Sequence, residues 1–214
     1  MTVDDFSIEF DLLFNNIASN KAPGLNDYEK SLFLTQAQEL VVRGLYSSGE
    51  QSFESTEELT SYLSSVTKRM CFTSFEKDEL YGWTTYKVEI PSKVWYITLE
   101  NGVVDNLPVE VIPVKQDMFL RTVRNPFRGP TGKRALRITR TDGDAVRLSE
   151  IIPAKGKELQ SYEIHYVEKP RPIVLEDNIE IDGETLNRQT CCLPENMHRM
   201  VLIRAVELAK SVWQ

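Results

Sequence analysis

The run Gly129-Pro-Thr-Gly-Lys133 invites a phosphate-binding reading, because loop amides and a lysine amine together can neutralise phosphate oxygens. The full motif needs glycine where this chain has Phe127 and a hydroxyl residue where it has Arg134. It also needs a buried strand before the loop and a helix after it, and the residues beyond Arg134 read as a strand. Metal chemistry is no better served. His165 and His198 are the only histidines, and neither has a partner at the spacing of a coordinating pair. Cys191 and Cys192 are adjacent, without the two-residue gap that lets two thiolates grip one zinc, and read as half-buried small residues. His165 reads as a strand residue with a satisfied ring nitrogen, and His198 as a surface residue of the closing helix. Nucleophilic catalysis needs a nucleophile, a base and an orienting group, and no G-x-S-x-G turn occurs. Asp142 and Asp144 have the look of hairpin-turn chemistry rather than of an acid/base pair. The expectation is a chain with no catalytic residues, no metal and no cofactor.

Charge is the more informative signal. Residues 1–66 hold eleven acidic positions against three basic ones, Lys21, Lys30 and Arg43, a net of −8. Residues 115–140 hold eight basic positions against the single acid Asp117, a net of +7. The whole chain carries −7, which argues against wholesale nucleic-acid binding. Segregated charge suits a chain that meets copies of itself or offers its basic part to a polyanion. Five cations cannot be buried unpaired. Arg121, Arg124, Arg128, Lys133 and Arg134 are therefore the candidate contact residues, facing a neighbouring subunit, DNA in a channel, or solvent.

Helices come first among the elements that must position this segment. Phe6, Phe10, Leu13, Phe14 and Ile17 share one helix face, with Thr2 as N-cap and Asp4 and Asp5 in the first turn. Pro23-Gly24 stops that helix, and Asn26 with Glu29 forms a capping box for a second, which carries Phe33, Ala37, Leu40, Val41 and Leu45. A third and shorter helix carries Leu59, Tyr62, Leu63 and Val66. Short turns between amphipathic helices predict an antiparallel bundle.

From Lys68 the pattern turns to strands: 70–75, 84–90, 94–99, 109–114, 135–140, 145–148 and 162–166. Pro91-Ser92 and Asn101-Gly102 read as turns, and Thr141-Asp-Gly-Asp144 as a hairpin. Pro113 pushes its strand to a sheet edge or a strand end. The stretch 124–134, with two prolines and two glycines, reads as a mobile loop. Leu193-Pro-Glu195 opens a closing helix with Met197, Val201, Ala205, Leu208 and Val212 on one stripe. Its apolar face predicts docking on the N-terminal helices, with Phe10, Phe14, Leu40, Val201 and Leu208 buried together.

The expected fold class is thus α+β: an N-terminal antiparallel helical bundle (1–67), a β-rich insertion (68–185), and a C-terminal helix (186–214) that packs back on the bundle. At 214 residues, 41% hydrophobic and 27% charged, the chain has an ordinary globular composition and no run long enough to span a membrane. An acidic start and three cysteines without a disulfide framework predict a soluble product of a reducing compartment.

Three segments together resemble virion proteins of the tailed phages in the crAss-like group. The first is Phe10-Asp-Leu-Leu-Phe-Asn-Asn-Ile17 with Ala22-Pro-Gly-Leu25 and Tyr28-Glu-Lys-Ser-Leu-Phe-Leu-Thr-Gln-Ala-Gln38. The second is Tyr162-Glu-Ile-His-Tyr-Val-Glu-Lys-Pro-Arg-Pro-Ile-Val-Leu175, and the third joins Leu193-Pro-Glu-Asn-Met-His198 to Arg204-Ala-Val-Glu-Leu-Ala-Lys210. The resemblance implies a structural ring or adaptor protein of a short-tailed phage, a homo-oligomeric (dodecameric) ring at the portal vertex that links capsid and portal to the tail. It further implies a non-enzyme, assembled in the host cytoplasm, with portal and neighbouring ring or tail proteins as partners and channel DNA as a nonspecific contact. The competing reading from the residues alone is a monomeric module presenting the basic segment to nucleic acid or an acidic partner.

Overall fold

The computed structural model of the chain describes residues 1–17, 24–47, 61–141, 147–181 and 183–212. In chain order these form α1 (Val3–Ile17) and α2 (Asp27–Ser47), then β1 (Thr67–Phe72), β2 (Glu76–Leu80), β3 (Trp83–Ile90), β4 (Val94–Val104) and β5 (Leu107–Val114). A 3-10 turn (Gln116–Met118) and α3 (Phe119–Val123) lead to β6 (Arg134–Thr141), β7 (Arg147–Ile152) and β8 (Leu159–Glu168). The small hairpin of β9 (Ile179–Ile181) and β10 (Glu184–Leu186) precedes α4 (Glu195–Ser211). Two units result: Met1–Val66 with Lys169–Gln214, and Thr67–Glu168.

In the helical unit both first helices open on reciprocal caps. Thr2 N–H donates to Asp5 Oδ2 at 2.7 Å and Asp5 N–H to Thr2 Oγ1 at 3.2 Å. Asn26 and Glu29 repeat the device at 2.9 and 2.8 Å. Each pair satisfies amides that a helix start leaves open. Phe6, Phe10 and Phe14 are buried. On α2 the buried apolar residues are Leu34, Ala37, Val41 and Val42, whereas Leu40 is only half-buried. The buried face is turned because Ser31, Thr35 and Gln38 are buried too, serving an extended backbone. Gln38 Nε2 donates to the Arg171 carbonyl at 2.7 Å, Ile173 N–H donates to Thr35 Oγ1 at 3.0 Å, and Leu175 N–H donates to Ser31 Oγ at 3.0 Å. Val174 bridges to Gln189 through two backbone hydrogen bonds, and the residues on either side of it find their partners on the helix face.

α4 buries Met197, His198, Val201, Leu202, Ala205, Val206 and Ala209 and packs against both α1 and α2. Leu208, expected in the core, is half-buried, and Val212, expected on the same stripe, is exposed. His198, expected on the surface, is buried: one ring nitrogen lies 2.9 Å from the Leu193 carbonyl, the other 3.2 Å from the Met1 amine. Lys210 Nζ reaches the Leu13 carbonyl at 3.4 Å. Equal steps along both helices separate these two contacts, so α1 and α4 run side by side in the same direction. α1 meets α2 at α2's first turn, where Lys30 Nζ lies 2.8 Å from Asp11 and 3.3 Å from Asp27.

The expected antiparallel N-terminal bundle is therefore corrected. The fold is mixed α/β with few helices, dominated by an eight-stranded curled sheet. The apolar stripes of α1 and α2 are completed by α4 and by the 171–175 backbone more than by each other. Most of the third helix expected from the sequence lies outside the described residues, as does the hairpin turn at 142–144. Ser61–Leu63 is helical, with Leu63 and Val66 buried.

The sheet has the order β1-β8-β4-β5-β6-β7-β3-β2, antiparallel except for the parallel pair β5–β6. Chain connectivity forces it to curl. β1 and β2 are its two edges, yet residues 73–75 alone join them. Seven strand spacings on a flat sheet are roughly 34 Å, beyond the roughly 14 Å that such a link can reach. Residues 91–93 make a similar short step from β3 to β4 across the curl. Register shifts between β4 and β8 at Val94/Tyr96, Ile97/Leu99 and Val103/Val104 supply the bend. Tyr86, Val88, Ile90, Val104, Val111, Ile151, Tyr162 and Ile164 belong to the core of one face. On the other face Phe119 and Val123 of α3 cover Leu136, Ile138 and Ile152.

Two-residue turns with positive φ close the hairpins at Tyr81-Gly82 and at Asp105-Asn106. Asn101-Gly102, expected as a turn, lies inside β4 instead. Gly102 suits the close packing there, since a Cβ would sit 3.2 Å from the Ser161 carbonyl and press on it. Pro113 takes the strand-end alternative. β5 pairs with β4 only as far as Glu110, and the Glu110 N–H points to β6, so the Pro113 nitrogen faces the side where pairing has stopped.

Candidate interaction surface

The basic segment is the crossover between the parallel strands β5 and β6. α3 fixes its start: Phe119 and Val123 point into the sheet, which leaves Arg121 and Arg124 exposed. The stretch expected to be a mobile loop is held by its own hydrogen bonds. Asn125 Oδ1 accepts from Phe127 N–H at 2.8 Å and from Arg128 N–H at 3.2 Å, and the Asn125 carbonyl accepts from Gly129 N–H at 2.7 Å. Gly129 is buried, and a Cβ there would lie 2.8 Å from the Asn125 carbonyl and 2.9 Å from that of Val123. No side chain fits without moving backbone. Thr131 and Arg134 then exchange backbone hydrogen bonds at 2.8 and 3.2 Å and lead into β6.

This geometry sorts the five candidate cations. Arg121, Arg124, Arg128 and Lys133 are exposed, and among the described residues none lies within ion-pair distance of a carboxylate. Arg134 is half-buried and spends its guanidinium inside the crossover, donating to the Phe127 carbonyl at 2.7 Å. Phe127, which is not among the expected contact residues, is 84% exposed and lies between Arg124 and Arg128 along the chain. Its only sequence signal is an aromatic residue beside a proline in a charged loop. The phosphate-loop reading fails on geometry, because Lys133 leads straight into the strand β6 rather than into a helix.

The other described candidates pair with groups of the chain itself. His165 Nε2 lies 3.0 Å from Glu163, whose carboxylate is also held by Arg69 at 2.5 Å. That hydrogen bond from Arg69 keeps the Glu163 carboxyl below its ordinary range. Cys191 is buried, its thiol 3.0 Å from Gln38 Oε1, and burial pushes it up to about 12. No group of three or more His, Cys, Asp or Glu side chains gathers at metal-binding distance among the described residues. Within the sheet core Arg137 makes a two-point pair with Glu100, Nε to Oε2 at 2.6 Å and Nη2 to Oε1 at 2.8 Å. Tyr162 donates to the same carboxylate at 2.8 Å. Burial, and next the Glu100 charge, hold the Tyr162 phenol protonated far above its ordinary range. These three groups are hydrogen-bonded to one another inside the sheet core.

Comparison with known proteins bears on what such a surface serves. The family described as phage tail ring protein 3/4 matches residues 1–214. Ring protein 3 of Bacteroides phage crAss001 is 34% identical over 232 residues, covering 98% of this chain and 95% of that protein. Ring protein 4/5 of the same phage is 30% identical over 226 residues, covering 100% of this chain and 94% of that protein.

Proposed function

The chain belongs to the phage tail ring protein 3/4 family, and from that premise we propose that copies of it close into a ring, dodecameric and on the path from portal to tail. The observation that carries this reading is the match over the full length of the chain, with relatives that are themselves ring proteins covered almost end to end. The protein acts as a structural part of the virion rather than as a catalyst. It assembles in the host cytoplasm with the portal and the neighbouring ring and tail proteins. No helix among the described residues is long and apolar enough to cross a membrane.

Within that assembly the exposed cations Arg121, Arg124, Arg128 and Lys133 form a contact surface for an acidic face of a neighbouring ring protein. Exposed cations next in sequence to an exposed aromatic residue suit a protein interface, where Arg and large aromatics carry much of the binding energy. The chain's net charge of −7 favours protein over channel DNA, since sequence-independent DNA binding rests on net phosphate neutralisation. Reversing Arg124, Arg128 and Lys133 to glutamate tests the surface. Attachment of the ring to its neighbours should fail while circular dichroism and melting stay close to wild type. Attachment that survives the reversal unchanged makes the loop a solvated surface. The ring itself is tested by electron microscopy of the purified protein and of virions labelled on this chain.

A further inference from the structure

The two helices that run side by side each carry a second, outward stripe that stays exposed among the described residues. On α1 it is Asp5, Ile8, Glu9 and Leu12, with Ile8 60% and Leu12 58% exposed. On α4 it is Met200, Ile203, Arg204 and Glu207, with Met200 48% and Ile203 45% exposed, and Arg199 exposed beside it. Both follow the i, i+3, i+4, i+7 spacing of one helix face. These faces lie opposite the ones that build the core, where Phe6, Phe10 and Phe14 of α1 and Val201, Ala205 and Ala209 of α4 are buried. The α4 stripe borders a groove of about 390 Å³ whose lining, among the described residues, is Arg199, Met200, Ile203, Arg204 and Glu207 of α4. The groove is therefore not filled by α1 of the same chain.

The stripes differ in sign. Apolar residues on α1 are flanked by Asp5 and Glu9, and those on α4 by Arg199 and Arg204. Thr2 caps Asp5 without neutralising it. Glu9 and Arg199 have no ion-pair partner among the described residues. Arg204 pairs with Glu207 along its own helix at 2.9 Å, an exposed contact that a better partner replaces at little cost. Matched apolar strips with opposite charged rims are what two different patches need to recognise each other, the charge setting register and the apolar contact supplying area.

We propose that the α1 stripe of one copy docks on the α4 stripe of a second copy of this chain. The contact is heterologous: each copy offers a donor face and a receptor face, so addition continues until the rotation closes. The inference deepens the ring reading and rests on it, because it names the faces through which copies join side by side. It leaves the basic crossover for contacts with other proteins.

A mixing experiment with Ile8→Asp and Ile203→Asp tests it. Both positions are exposed, so each variant should fold with the circular dichroism and melting of the wild type. Light scattering should show wild-type species above the monomer at high protein concentration and only monomer for each variant alone. Mixed in equal amounts, the variants keep one good α1 face and one good α4 face between them and should form a heterodimer that grows no further. As a second measure, Glu9→Arg and Arg199→Glu should each weaken assembly and together restore it. Wild-type assembly that survives Ile8→Asp and Ile203→Asp overturns the docking faces while leaving the ring intact. A wild-type chain that neither self-associates nor appears as a ring in virions overturns the ring reading as well. A mixture of variants that stays monomeric overturns the heterologous pairing.

Discussion

Replacing Arg137 by methionine is the sharpest test of how the sheet core is held. Arg137 and Glu100 expose only 11% and 6% of their side chains, so the carboxylate left behind would be a buried charge without its counter-ion. Breaking one side of such a pair costs about 3–5 kcal/mol. Tyr162 still donates to Glu100, which places the expectation near the lower figure, about 3 kcal/mol. Burial pulls the Arg137 guanidinium down, but the hydrogen bonds and charge of Glu100 outweigh it and leave the group above its ordinary value. The pairing therefore favours the charged form in the folded state. With a urea m-value of about 1.5–2 kcal/mol/M for a unit of this size, the midpoint should fall by roughly 1.5–2 M. Trp83 and Trp95 lie in this unit, and a Trp213→Phe background leaves them as the only indole reporters. The triple change Glu100→Leu, Arg137→Met, Tyr162→Phe removes charge and hydroxyl together and should recover most of the loss. A loss below about 1 kcal/mol for Arg137→Met alone would refute the reasoning, because Glu100 would then be hydrated in the folded protein.

Leu202→Ala on the buried face of α4 should destabilise the helical unit by about 2–5 kcal/mol in denaturant melts, whereas Leu208→Ala, only half-buried, should cost roughly 1 kcal/mol; equal costs would contradict the orientation of α4. Gly129→Ala should destabilise the sheet unit by about 1–3 kcal/mol, since the added methyl meets two carbonyl oxygens. Thiol titration should label exposed Cys71 in the native protein and buried Cys191 only on unfolding, as burial holds the Cys191 thiol protonated. Hydrogen bonds from Lys87, Lys157 and Arg69 hold Asp78, Asp105 and Glu163 below their ordinary values of 3.8, 3.8 and 4.5. Their stabilisation is present above those values and lost as pH falls through the lowered folded ones, so melting of the sheet unit should drop on acidification to about pH 3. A melting temperature unchanged over that range would show these surface pairs to be inert.

Local chemistry was legible in the residues wherever it acts over a few positions. Thr2 with Asp5 and Asn26 with Glu29 announce helix starts, because a cap is a contact between neighbours three apart. The Phe6, Phe10, Phe14 stripe announces a buried face for the same reason. Cations crowded into a Pro/Gly crossover mark a surface, since burial of unpaired charge is prohibitive. Resemblance at the two ends of the chain pointed to phage ring proteins, the family to which it belongs.

What the tertiary structure decided are the relations between distant segments. Short turns between amphipathic helices suggest an antiparallel bundle, but periodicity says only that a helix has a face, not what covers it. That α1 runs parallel to α4, and that Ser31, Thr35 and Gln38 serve the backbone at 171–175, depends on contacts between segments far apart in sequence. Asn101-Gly102 carries the stronger hairpin signal, yet the turn falls at Asp105-Asn106, where both residues take positive φ, and Gly102 lies inside β4 close to the Ser161 carbonyl. The outward stripes Ile8/Leu12 and Met200/Ile203 could not be told from core stripes by spacing. A helix with apolar residues on two faces does not say which face its own chain will fill; only the packing of α1 on α4 does.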